Sequence, residues 1–295
     1  MTSIFLTNSV AKIEISPKLG GSILAYDVKL HNQFVPILRK TNKVKSVLES
    51  SCFPLIPYSN RIKHGQFNWQ NKRITLTLNH LPEKHSIHGH GWQLPWDVTD
   101  KTDTSLTLQY HYQTAEWPFS YSAQQTFKLD DKVLEVELSI INTSNTAMPA
   151  GLGLHPYFSL TNKSYVNSSI DKMWAVDDEN IPTKLVDGPK SINSQTGMII
   201  KGSNLDNVFT GFVGSATVTW PEWQAKANIT TSSNCKFMVL YSPDDKDFFC
   251  LEPVTHCTNA INMANNDVKN TGIEYLKPQQ KITVSMRILP EEIRN

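Results

Sequence analysis

An all-β architecture, a sandwich or a barrel, is the fold class this sequence predicts. Three observations carry the expectation. The hydrophobic pattern repeats every two residues, clusters of Gly, Pro, Asn and Asp return at intervals of about 8 to 12 residues, and helical periodicity is nearly absent. Ser3–Thr7 and Lys12–Ser16 read as short strands before a Pro17–Gly21 turn. Arg73–Leu78 and Ser105–Tyr112 alternate cleanly. Ser122–Leu129 and Val133–Ile141 form the clearest hairpin, turning at Asp130 and Asp131. Ala216–Trp220, Phe237–Tyr241, Phe248–Leu251 and Lys281–Ile288 complete the strong strands. Short helical turns are expected only at Thr41–Leu48 and Pro182–Val186, and the polar stretch Asn162–Lys201 reads as a long excursion carrying small strands. With no linker, no fixed-period repeat and no low-complexity tract, residues 1–295 are expected to form a single domain.

The net charge of +1, with Lys and Arg spread evenly, lacks the basic stripe of a nucleic-acid binder. No apolar stretch nears the roughly 20 residues that span a bilayer, and the N-terminus lacks the charged head and apolar run of a signal peptide. A cytoplasmic protein without membrane or nucleic-acid partners is expected. The four cysteines, Cys52, Cys235, Cys250 and Cys257, form no C-x-x-C pair, so they read as small buried hydrophobes rather than disulfides or zinc ligands.

Four segments break the strand pattern with polar residues among Gly, Pro and aromatics. In Cys52–Ile62, two prolines stiffen the chain ahead of Asn60 and Arg61. A guanidinium on such a segment either holds several ligand oxygens or makes a structural ion pair. His85–Trp96 holds three histidines and two tryptophans, with glycines that permit close approach of backbone and ligand. Its histidines suit donation to hydroxyls, and its indoles suit either the C–H faces of sugar rings or the core. The His88-Gly89-His90 spacing also raises a metal site, but no third ligand with a supporting partner stands out.

Ala150–Phe158 sets His155 in extended backbone before Pro156, with Gly151 and Gly153 reducing bulk near the imidazole. Histidine titrates near neutrality and suits proton transfer, although a lone strand histidine is often structural. In Phe248–Asn262, Glu252 ends an apolar run. If that run is a buried strand, burial raises the carboxyl toward the range of a general base; if Glu252 marks an exposed strand end, it does not. Asp206, in Asn204–Phe209, is a weaker candidate that alone would pass as a turn residue. Phosphate loops, dinucleotide fingerprints, nucleophile elbows and H-E-x-x-H are all missing.

In chain order, Asn60-Arg61-Ile62, Ile87–Trp92, Gly151–Phe158, Leu205–Phe209 and Leu251-Glu252-Pro253 resemble the aldose 1-epimerase (galactose mutarotase) family. The resemblance implies a large antiparallel β-sandwich of the galactose mutarotase-like supersandwich type, with an open sugar cleft. It implies Glu252 as general base and His155 as general acid, with Arg61, His88 and Asp206 on the sugar hydroxyls. Asn60, beside Arg61, joins the substrate-binding candidates, as does His90, because His88-Gly89-His90-Gly91-Trp92 departs from the family's His-Gly-Gly and leaves open which histidine faces the sugar.

The chemistry suits these residue types. Anomer exchange takes the proton from the C1 hydroxyl and protonates the ring oxygen, then recloses the carbonyl from its other face. An acid and a base placed on opposite sides of the sugar suffice, with no cofactor and no metal. The expected protein is a monomer or homodimer acting on a free hexose such as galactose or glucose. The rivals are a hexose-6-phosphate 1-epimerase, disfavoured by the scarcity of arginines, a non-catalytic carbohydrate-binding protein of the same fold, and a glycoside hydrolase, which needs two firmly placed carboxyls.

Overall fold

The strands assemble because nearly every one alternates apolar and polar residues, or is apolar on both faces where it is covered twice. The computed structural model describes residues 3–41, 44–113, 115–266 and 268–293. Among these, strands form one sheet of twelve and one of nine, with three two-stranded ribbons. The fold is a large antiparallel β-sandwich. Tyr121–Asp130 and Val133–Asn142 make the expected hairpin, with Asp130 opposite Val133, and Lys281–Glu292 pairs beside it in the nine-stranded sheet. Among the described residues, no helix is long and apolar enough to cross a membrane.

The main core lies between the two large sheets. Ile13, Tyr26, Met238 and Phe249 from the twelve-stranded sheet share it with Leu108, Phe127, Leu138 and Ile288 from the nine-stranded one. A second, smaller core covers the opposite face of the twelve-stranded sheet. The strands Phe237–Tyr241 and Phe248–Val254 divide their side chains between the two. Met238, Leu240, Phe249 and Leu251 point into the main core, while Phe237, Val239, Phe248, Cys250 and Val254 point into the smaller one. This double covering is why Phe248–Val254 is continuously buried, and why a glutamate on it is buried too. Each fully buried aliphatic side chain contributes about 1.5–3 kcal/mol over exposure, so register in this sheet is strongly specified.

Some elements differ from expectation. Pro182–Asp187 is an edge strand paired with Lys172–Val176, not a helical turn. Its side chains are mostly exposed, so it lacks the alternation that marks a strand, and a proline at the start of an edge strand is tolerated. The expected turn at Thr41–Leu48 includes Asn42 and Lys43, which lie outside the described residues; a 3-10 turn occupies Val47–Glu49. Asn162–Lys201 does carry small strands, and they join both large sheets. The hairpin Ser22–Leu30 with Gln33–Leu38, the strand Ala225–Thr231 and the short helix Ala260–Asn265 were not anticipated. All four cysteines are free and buried.

Candidate active site

Register alone brings His155 and Glu252 together. Tyr157 pairs with Cys250 and Gly153 with Val254 across neighbouring antiparallel strands, which sets His155 opposite Glu252. Their side chains emerge on the same face of the twelve-stranded sheet, and His155 Nε2 lies 3.2 Å from Glu252 Oε1. The two stand side by side on one floor, not on opposite sides of a cleft as expected. The C1 hydroxyl oxygen and the ring oxygen of an aldose share one carbon, so adjacent groups can reach both. One row along the same face, Tyr157, Cys250, Tyr241 and Asp206 follow each other on four adjacent strands.

The remaining wall comes from Asn60–Ile62 and Ser86–Trp92. Arg61–Ile62 pairs with Ser86–Ile87, and Asn60 O accepts from His88 N at 3.0 Å. Asn60 N donates to His88 Nδ1 at 3.0 Å, which leaves the neutral imidazole's proton on Nε2. Arg61 N is anchored by Asn60 Oδ1, and Arg61 O accepts from Asn259 N at the head of the helix Ala260–Asn265. The guanidinium meets Glu83 Oε2 through Nε at 3.1 Å and Asp206 Oδ2 through Nη2 at 3.3 Å. Asn60, Arg61, His88, His155, Asp206 and Glu252 thus border one cavity of about 450 Å³. A second recess of about 410 Å³, lined by residues such as Asn167, Ser194 and Thr217, has no titratable side chain.

His90 is elsewhere. Its ring stacks on Tyr112 at 4.5 Å and borders a separate recess with Glu116, so of the two histidines only His88 faces the cavity. The same separation breaks the H-x-H metal arrangement. The one His/Cys/Asp/Glu group among the described residues with ligating atoms mutually within 4.8 Å is His155, Cys250 and Glu252. Burial and the nearby Glu252 carboxyl push the Cys250 thiol well above its usual range, toward the protonated form. Trp92 and Trp96 are core residues, 2% and 1% exposed, each donating its indole N–H to a backbone carbonyl in its own segment.

The glycines also serve a different purpose from the one expected. A Cβ on Gly151 would meet His256 Cδ2 at 1.8 Å, and one on Gly89, where φ is +70°, would meet Ile56 O at 2.1 Å. Gly89 permits close approach of chain to chain, and Gly151 makes room for the His256 ring rather than for the His155 imidazole.

Electrostatics push the couple toward its uncharged forms. Burial, with the Arg39 guanidinium second, depresses the His155 imidazole to about 3. Burial, reinforced by Asp206 and opposed by Arg61, raises the Glu252 carboxyl well above the carboxylate range. His88 is likewise held neutral, chiefly by burial. In contact, His155 and Glu252 hold one proton between them, and shifting it interconverts the neutral pair and the ion pair without change in proton count. Among the described residues, Glu252 Oε2 and His155 Nδ1 are buried with no hydrogen-bond partner.

The comparisons with known proteins show the family and the fold. The sequence profile of the family described as Aldose 1-epimerase matches residues 3–289. The chain belongs to the aldose 1-epimerase family. Among relatives of this family, the uncharacterized protein YphB of Escherichia coli K12 is 28% identical over 264 residues, covering 87% of this chain and 89% of its own. A solved structure of an aldose 1-epimerase candidate from Escherichia coli K12 superposes with a TM-score of 0.87 at 26% identity, over 99% of both chains. A galactose mutarotase-like protein from Clostridium acetobutylicum, at 21% identity, gives 0.87 over 98% of this chain and 95% of its own, a likeness of fold.

Sequence reasoning missed Glu83, His80, Asn180 and Tyr241, which also border the cavity of this aldose epimerase fold, and Arg39 beside it. An arginine directly after the apolar run Phe34–Leu38 was a usable signal for Arg39. The others sit in polar loops or at a strand end, where no local pattern separates them from ordinary surface residues.

Proposed function

We propose that this protein is a cofactor-independent aldose 1-epimerase that interconverts the α and β anomers of a free hexose such as galactose or glucose. The observation that carries the reading is the 3.2 Å contact between His155 and Glu252 on the floor of a polar cavity. In the ion-pair form, Glu252 takes the proton of the C1 hydroxyl while the His155 imidazolium protonates the ring oxygen. The C1–ring oxygen bond breaks and the carbonyl forms. After rotation about C1–C2, the ring oxygen attacks the other carbonyl face, and the two protons return by the reverse transfers. Sugar hydroxyls bonding the Glu252 carboxylate, with the positive charge of Arg61 nearby, favour the ion pair over the neutral one. His88 Nε2–H and Arg61 hold the sugar, with Asp206 accepting from a hydroxyl. Assistance of this kind is worth roughly 10²–10⁴-fold per group.

Polarimetry of freshly dissolved α-glucose and α-galactose tests the proposal. Acceleration of the optical change by the protein is the expected result. Binding of either sugar with no acceleration favours the non-catalytic carbohydrate-binding reading instead.

A further inference from the structure

We infer that Glu83 is a positioning and charge-selecting residue, which holds the Arg61 guanidinium in one orientation and biases the cavity against anionic sugars. The inference rests on the epimerase reading and extends it to the choice of substrate.

Glu83 lies in the loop between the strands Lys72–Thr75 and Ser86–Ile87. Its backbone N–H closes a turn onto His80 O at 2.8 Å. The neighbouring residues tie the loop to Glu179, with Lys84 Nζ 2.8 Å from Glu179 Oε1 and His85 Nε2 3.1 Å from Glu179 O. The Glu83 side chain is 19% exposed and accepts from Arg61 Nε at 3.1 Å. Arg61 also donates through Nη1 to Asn60 Oδ1 and through Nη2 to Asp206 Oδ2, both at 3.3 Å.

A guanidinium has five N–H groups in one plane. Glu83, Asn60 and Asp206 take one on each nitrogen, which leaves one on Nη1 and one on Nη2 for the sugar. Of the three partners, only Glu83 binds Nε, so it fixes the rotation of the plane about the end of the side chain. The charge balance points the same way. Arg61 is the only Arg or Lys among the described residues bordering the cavity, and Glu83 and Asp206 both sit against it. The cluster is net negative. A phosphate or carboxylate on the sugar would meet a cation already paired twice, and would compete with two carboxylates held by the fold.

The test compares wild type, Glu83→Gln and Glu83→Ala on glucose, glucuronate and glucose 6-phosphate, with kcat and KM measured separately. Wild type is expected to prefer glucose over both anions. Glu83→Gln keeps an acceptor for Arg61 Nε but loses the charge, so it narrows that preference by about three- to tenfold, a larger change than the one in KM for glucose. Glu83→Ala loses both, so KM for glucose rises as well, with kcat less affected. A purely structural Glu83 would lower thermal stability and affect all three sugars alike. The inference is overturned if Glu83→Gln turns over glucose and leaves the anion discrimination unchanged. Should wild type accelerate no sugar at all, the epimerase reading fails by itself. Charge selection is then read from equilibrium binding of the same sugars by ligand-observed NMR, where equal affinity of wild type and Glu83→Gln for glucuronate overturns it.

Discussion

The Tyr157 ring lies flat against the His155 imidazole, with centroids 4.7 Å apart and planes 15° from parallel. Phe53 packs on the same imidazole at 4.5 Å, and the Arg39 guanidinium rests on the Tyr157 ring at 3.6 Å. Arg39 is itself anchored to the carbonyls of Leu48 and Ser50. The catalytic candidate is thus clamped by aromatics, and a cation braces the clamp.

That cation opposes protonation of His155. Removing it in Arg39→Met should let the His155–Glu252 pair take up its second proton at higher pH. The acidic limb of the kcat/KM profile therefore moves upward in pH. Arg39→Lys keeps the charge and should leave the limb nearer its original position, although it loses the bonds of the planar fork. A limb that stays put in Arg39→Met would show that Arg39 only packs.

Glu252→Gln and His155→Asn should each lower the rate of anomer exchange by about 10²–10⁴-fold. Because the two share one proton, their losses should not add, and the double variant should be little worse than either single one. NMR exchange between the anomeric protons measures all three. Turnover by Glu252→Gln at the parent rate would sink the assignment.

Stability should fall in mild acid. His155 is held to about 3 and His256 to about 4, both chiefly by burial, and His88 lies well below its usual range. As pH drops through about 6.5, the unfolded chain takes up protons at these positions while the folded chain does not. Each such histidine costs at most about 1.4 kcal/mol per pH unit until its folded value is reached. Glu252 acts oppositely. Its raised carboxyl makes the folded state gain relative stability as pH falls from its folded value toward the unfolded one near 4.5. The net prediction is a lower urea midpoint at pH 5 than at pH 7. A His256→Gln variant should flatten that dependence, and a midpoint unchanged from pH 7 to 5 would refute it.

Gly151→Ala should destabilise the fold by about 1–3 kcal/mol through overpacking. The added methyl collides with the His256 ring, which accepts from Ser59 N at 3.0 Å and bonds Cys257 O. Urea unfolding measures the loss. Pairing the change with His256→Ala should recover part of it, and no recovery would locate the strain elsewhere.

Much of this was legible in the chain. Period-two alternation made Ser105–Tyr112 and the Tyr121–Asn142 hairpin readable, because one face of each is buried and the other marks it by contrast. Pro182–Asp187 was misread because an exposed edge strand has no such contrast. The five ordered segments pointed to Arg61, His88, His155, Asp206 and Glu252, which do gather at one cavity. They could not separate His88 from His90, since two residues on a polar loop differ only in what the rest of the chain packs against them.

By itself the sequence determined the residue types and the strands that carry them: an imidazole before Pro156, a carboxyl inside an apolar run, a guanidinium after two prolines. Tertiary structure alone decided that His155 and Glu252 touch, that Trp92 and Trp96 are core, and that Gly151 makes room for His256. It also brought Glu83 onto Arg61. The reason is physical. Alternation and turn chemistry act over a few residues, whereas a contact between positions about a hundred apart in the chain depends on sheet register, which the burial of both faces sets only when the whole molecule has formed.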